Sequence, residues 1–186
     1  MRKVYTQIII MKIQLFAVIG SFFFKFLGCG AQPPLNRAHC TNPAFDKHVA
    51  FYLSFTIPTM DPTELKKLLP QTVLLDAREK KEYEISHIPN ATHCGYDQFD
   101  ITKWNHLPRN QPIVVYCSIG YRSEKIAEKL KKAGFSKVHN LYGSIFEWVN
   151  QGNAVIDAQG KPTRKVHAYN SSWSKWIDAD KAERVW

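Results

Sequence analysis

Pro112-Ile-Val-Val-Tyr-Cys117-Ser-Ile-Gly-Tyr-Arg122-Ser123, continued by Glu124-Lys-Ile-Ala-Glu-Lys-Leu-Lys-Lys-Ala133, is the stretch whose reading decides the fold. Ile113 to Tyr116 is β-branched and aromatic, the composition of a short buried strand. Ile126, Ala127, Leu130 and Ala133 fall on one face of a helix, with Lys125, Glu128, Lys129 and Lys132 turned away from it. Gly134 supplies a residue able to stop that helix. Between strand and helix lies a tight loop with a cysteine at its start and an arginine at its end.

The peptide N–H groups of a loop curled at a helix N-terminus point inward without backbone partners, and the helix dipole adds partial positive charge there. Such donors, with Arg122, favour a thiolate at Cys117 and hold an oxyanion substrate. A lowered thiol pKa makes Cys117 a candidate nucleophile. A buried core cysteine is the competing reading of the residue taken alone.

Tyr116-Cys-Ser-Ile-Gly-Tyr-Arg-Ser123 resembles the active-site loop of rhodanese-like sulfurtransferases. Upstream, Leu74-Leu-Asp-Ala-Arg-Glu-Lys-Lys-Glu-Tyr-Glu-Ile-Ser-His-Ile-Pro-Asn-Ala91 resembles that family's Asp-x-Arg and His-Ile-Pro-x-Ala signatures. Gly143-Ser-Ile-Phe-Glu-Trp148 resembles its closing Gly-x4-Trp helix. The resemblance implies an α/β domain with a mostly parallel central sheet and helices on both faces. It implies sulfane-sulfur transfer, with Cys117 as catalytic nucleophile and Ser118, Ile119, Gly120, Tyr121, Arg122 and Ser123 binding substrate. The expected partners are a small sulfur-containing anion such as thiosulfate as donor and a thiol or cyanide as acceptor. No cofactor is expected, because the cysteine carries the sulfur itself.

Cys117 to Arg122 is Cys-x4-Arg, whereas phosphatases with a similar loop, including those on the rhodanese fold, use Cys-x5-Arg. The shorter loop suits a smaller group on sulfur and disfavours a phosphatase or arsenate-type enzyme. A non-catalytic module that senses an anion or a partner remains the other alternative. Asp76 and Arg78 are expected to brace the fold, with Arg78 and Glu82 within ion-pair reach on one helix. Two-domain thiosulfate enzymes of the family carry a substrate-facing arginine near the position of Glu82; a glutamate there speaks against strict thiosulfate specificity.

Composition sets the remaining bounds. With 186 residues, 45% hydrophobic, the chain can bury an ordinary core. Net charge is +9, and removing Arg2, Lys3, Lys12 and Lys25 leaves +5 for residues 30–186. That balance helps attract small anions but lacks the dense basic face of a nucleic-acid binder. No Cys-x2-Cys or His-x3-His spacing suggests a metal.

Residues 1–29 read as a targeting segment with a basic start and an apolar run from Ile13 to Phe24. Three readings stay open: a lipobox ending at Cys29, which would be lipidated; cleavage after Ala31; or an uncleaved anchor from Ile8 to Leu27. Each implies export, to the periplasm or to a membrane-attached form. Residues 30–50 are expected as a linker, 51–152 as the rhodanese-like domain, and 153–186 as an extension docked on it, with Trp173 and Trp176 on one helical face. Leu53–Pro58 is expected as a first strand, Asp61 as a helix cap, Tyr96–Trp104 as a partly helical lid, and Ser144 as a cap. Cys94 and His93 are expected to be structural, and Cys40 and Cys94 are candidates for a disulfide.

Overall fold

The computed structural model describes residues 37–186; the expectations for residues 1–29, including lipidation at Cys29, lie outside the described residues. Helix α1 spans Pro43–Tyr52, strand β1 Thr59–Met60, α2 Pro62–Leu68, β2 Val73–Asp76, α3 Lys80–Ile85 and β3 Thr92–His93. Strand β4 spans Ile113–Tyr116, α4 Tyr121–Lys132, β5 Val138–Leu141 and α5 Ser144–Asn150. Strands β1–β5 form one sheet in the order β1-β5-β4-β2-β3, and every pairing in it is parallel. The fold class read from the sequence is therefore present.

The central strand β4 is buried along its whole length, as a parallel strand covered on both faces must be. Side chains alternate between two cores. Val114 and Tyr116 join a cluster with Phe45 and Val49 of α1, Leu65 of α2, and Ile145 and Phe146 of α5. Ile113, Val115 and Cys117 join the other, with Ile126, Ala127 and Leu130 of α4 and Trp104. This alternation puts Cys117 on the α4 side of the sheet, at the strand's C-terminal end. Ligands of open parallel sheets bind at that edge.

Two expectations need correction. The second half of the expected linker is structured: Asn42 caps α1 by accepting from the amides of Ala44 and Phe45. The same arm is held by Arg37, which pairs with Asp46, and by Thr41, whose N–H and hydroxyl donate to Glu147 at 2.8 and 2.6 Å. Phe45 and Val49, four apart, form the buried face of this helix; the prolines, asparagines and histidines around them gave the stretch the composition of a linker. Leu53–Pro58, in turn, is not a strand. The amides of Ser54 and Thr56 donate to the buried carboxylate of Glu124 at 2.9 and 3.1 Å, and Phe55 turns the chain at φ 52°. Those N–H groups are satisfied by α4 instead of by a neighbouring strand.

Other local readings match the structure. Asp61 accepts from the Glu64 amide at the start of α2, and Asp100 caps the 3-10 turn Ile101–Trp104. After α5 the chain forms an antiparallel hairpin of β6 (Val155–Ile156) and β7 (Pro162–Thr163), with its turn at Asp157–Gly160. Strand β8 (Lys165–His167) pairs in parallel with β9 (Glu183–Val185), and the short helix α6 (Ser171–Ser174) lies between them in the chain. Val166, Ala168, Ile177 and Ala182 of this extension are buried in the same core as α1. Trp176 stacks on Phe45 at 5.5 Å, and Trp173 packs against His48 and Tyr52 at 5.0 and 5.4 Å. Cys40 and Cys94 are both free thiols and belong to opposite faces of the sheet, so they do not pair. Among the described residues no helix is long and apolar enough to cross a membrane.

Candidate active site

Strand β4 delivers Cys117 to the loop, and the loop is held from outside. The Cys117 N–H donates to the Ser144 hydroxyl at 3.1 Å. The Cys117 and Ser118 carbonyls accept from the Ile145 and Phe146 amides at the start of α5, at 3.2 and 3.3 Å. With its carbonyls turned outward, the loop presents amides inward. The Gly120 N–H points at the Cys117 sulfur from 3.2 Å, and the Ser123 hydroxyl lies 3.5 Å from it. Gly120 adopts φ 125°, and a Cβ there would sit 3.3 Å from Leu53 Cδ2. The position needs glycine for its backbone and for its space.

Ser144 is therefore not the cap expected of it. Gly143 holds the cap position of α5 without a side chain to offer, while the Ser144 hydroxyl also donates to the Leu141 carbonyl at 3.0 Å. It splices the end of β5 to the start of the loop. Asn140, buried at the end of β5, does similar work from the other side. Its amide donates to the Gly120 carbonyl at 3.0 Å and its oxygen lies 2.7 Å from the Ser123 hydroxyl. Neither role is legible from spacing, because both depend on β5 lying beside β4.

The charges sort differently from the expected Arg78–Glu82 pair. Arg78 is fully buried against Asp76, at 3.0 and 2.6 Å, and donates to the Ser86 carbonyl. These two residues brace the turn after β2, as read from the sequence. Glu82 instead takes both terminal nitrogens of Arg122, at 2.7 and 2.9 Å, and its Oε1 lies 3.3 Å from the Ser118 hydroxyl. Arg122 also donates to that hydroxyl at 2.9 Å. Burial alone would raise the Glu82 carboxyl, but the Arg122 guanidinium overrides it and holds it at about 2. Burial likewise opposes ionisation of Cys117. The Arg122 charge, the Ser123 hydroxyl and amide, and the Gly120 amide outweigh it, so the thiol titrates below its ordinary range. Cys40 and Cys94 are pushed the other way, chiefly by burial.

Cys117 is 1% exposed, yet it is not sealed in: it lies at the wall of a cavity of about 560 Å³. Ser118, Ile119, Tyr121 and Arg122 line the same cavity; Ser123 sits behind the sulfur, fully buried. Glu79, Tyr96 and Asp97 also line the cavity. Tyr52 of α1 and Tyr169 and Trp173 of the C-terminal extension line it as well. His93 faces elsewhere; its Nε2 lies 2.8 Å from the Arg78 carbonyl. Sequence reasoning placed Trp173 as a docking residue and missed that it also walls the site. Glu82, Asn140 and Ser144 were missed as partners of the loop.

A strand-borne cysteine whose thiol is biased toward ionisation, beside the Gly120 amide at the carboxyl edge of a parallel sheet, is matched by family and fold. The Rhodanese-like domain model matches residues 61–151. The chain carries a rhodanese-like domain. A solved rhodanese-like domain from Anabaena sp. superposes with a TM-score of 0.50 at 25% identity, covering 54% of this chain and 79% of that one. The thiosulfate sulfurtransferase of Pseudomonas aeruginosa shares the fold, with a TM-score of 0.51 at 22% identity over 64% of this chain and 23% of that one. Among curated proteins, the tRNA uridine(34) hydroxylase of Onion yellows phytoplasma is 37% identical over 94 residues, 47% of this chain and 30% of that protein. A Bacillus subtilis protein named as a sulfur carrier, YrkF, is 37% identical over 78 residues, 42% of each chain. The chain thus spans well under two thirds of the curated relatives it matches, and what it shares with them is the rhodanese-like domain.

Proposed function

We propose that this rhodanese-like domain is a sulfurtransferase that moves sulfane sulfur from thiosulfate or a related donor to a thiol or cyanide. The observation that carries the reading is the Gly120 amide 3.2 Å from a Cys117 sulfur whose thiol is already biased toward the thiolate. The Cys117 thiolate attacks the outer sulfur of thiosulfate. The S–S bond of the donor breaks, sulfite leaves with the bonding pair, and a persulfide remains on Cys117. An acceptor thiolate or cyanide then attacks the terminal sulfur, and the Cys117 thiolate leaves as it began. The inward amides stabilise negative charge on sulfur in both half-reactions. From the relatives, only the shared domain bears on this chain; hydroxylation of a tRNA uridine belongs to those proteins.

Export of the domain, with or without attachment at Cys29, is part of the same reading and rests on residues 1–29. The test of the chemistry is direct. Reduced protein incubated with a sulfane donor gains the mass of one sulfur atom, and Cys117→Ser does not. Absence of an adduct with every sulfane donor tried refutes the reading. One observation favours a second reading, a module that senses a ligand without turnover: Arg122, the loop's cation, is already held at both terminal nitrogens by Glu82. Binding without adduct formation would identify that case.

A further inference from the structure

The charge and lining of the Cys117 cavity suit an uncharged organic body better than a small dianion such as thiosulfate. Among the described residues that line it, Arg122 is the single cation, while Glu79 and Asp97 are acidic. Arg122 is in turn balanced by buried Glu82 and is the cation that favours the Cys117 thiolate. A doubly charged donor entering this space meets two carboxylates, a thiolate and a guanidinium already paired.

The walls are aromatic. Tyr52, Tyr96, Tyr121, Tyr169 and Trp173 all face the cavity. Trp173 lies 5.4 Å from Tyr52 and 6.3 Å from Tyr169, ring centre to ring centre, so these three form one continuous side. Tyr169 and Tyr121 remain 54% and 44% exposed, which leaves ring surface uncovered at the mouth. The volume, about 560 Å³, falls within the range of about 300–1,000 Å³ typical of sites for organic small molecules. Thiosulfate would occupy only the end nearest Cys117.

Resting on the sulfur-transfer reading of Cys117, we propose that the cavity exchanges sulfane sulfur with a small organic thiol whose body is uncharged and aromatic or aliphatic. Loading proceeds by attack of the Cys117 thiolate on the outer sulfur of R–S–SH. The R–S to S bond breaks, R–S⁻ leaves with the electron pair and takes a proton from water, and Cys117 carries the persulfide. Unloading is the reverse, with R–S⁻ attacking the terminal sulfur. No oxidant or reductant enters, because sulfane sulfur passes between two thiols.

The test uses the full chain and two primary alkyl hydropersulfides that differ in body: benzyl hydropersulfide and 2-sulfoethyl hydropersulfide. Loading of Cys117 is followed by intact mass, and each rate is divided by that of the same reagent with free cysteine. The benzyl reagent is expected to load faster by about tenfold or more, as burial of one ring allows. Trp173→Leu and Tyr169→Leu are expected to pull that ratio toward one. The ratio is taken within each protein, so a change in folded fraction cancels. Equal loading, or faster loading by the sulfonate, overturns the inference and leaves sulfur transfer standing. Loading by neither reagent nor by thiosulfate overturns both.

Discussion

Glu82→Gln isolates the ion pair that ties the loop's arginine to the rest of the domain. The Glu82 side chain is 1% exposed and that of Arg122 13%. The carboxylate accepts from both terminal nitrogens of Arg122 and from the Glu79 amide at 2.9 Å. A carboxyl held at about 2 instead of the ordinary value of about 4.3 contributes about 3 kcal/mol at neutral pH. Breaking one side of a buried pair costs about 3–5 kcal/mol, and partial access of Arg122 to the cavity argues for the lower end. An amide in place of the carboxylate can still accept one of these hydrogen bonds, so the expected loss is about 2–3 kcal/mol. Because folding lowers this pKa, the contribution is present above about pH 4.3 and is lost as pH falls toward 2. Urea denaturation of both proteins across pH should show a constant gap from neutrality down to about pH 5, narrowing below it. A gap under about 1 kcal/mol, the worth of an exposed pair, or one indifferent to pH, would refute the assignment of Glu82 as the buried counter-charge.

Three further outcomes are expected. Iodoacetamide should modify Cys117 in the folded protein with a midpoint below the ordinary thiol value of about 8.5, while Cys40 and Cys94 react only on unfolding; peptide mapping across pH reads this. Ser123→Ala should move that Cys117 midpoint upward, since it removes a hydroxyl beside the sulfur, and an unmoved midpoint would assign the hydroxyl wholly to Asn140. Gly120→Ala should cost about 1–3 kcal/mol in thermal or chemical unfolding and slow persulfide loading, because φ 125° suits no side chain and the added methyl presses Leu53.

Local chemistry made much of this domain readable in the sequence. Ile113 to Tyr116 has the composition of a buried strand, Ile126 to Leu130 presents one helix face, and the cysteine between them falls at the start of the loop. Asp61 caps as its spacing says. What escaped were contacts created by strand order. Asn140 and Ser144 reach the loop because β5 lies beside β4, and no count of residues along the chain reveals that adjacency. Glu82 was read against Arg78, four residues away on the helix, yet Arg122 won it by arriving from another element with a free fork. Leu53–Pro58 has a strand's composition, but a glutamate from α4 took its amides.

The matched region ends at Trp148 and its immediate neighbours, and three of the rings around the sulfur lie beyond its limits: Tyr52 before it, Tyr169 and Trp173 after it. On the proposed reading, the reacting thiol lies inside the matched region, and part of the wall that would choose the molecule lies outside it. A change at Tyr52, Tyr169 or Trp173 alters that wall while leaving the thiol and the Gly120 amide beside it in place. Two proteins with the same six-residue loop need not share a metabolite.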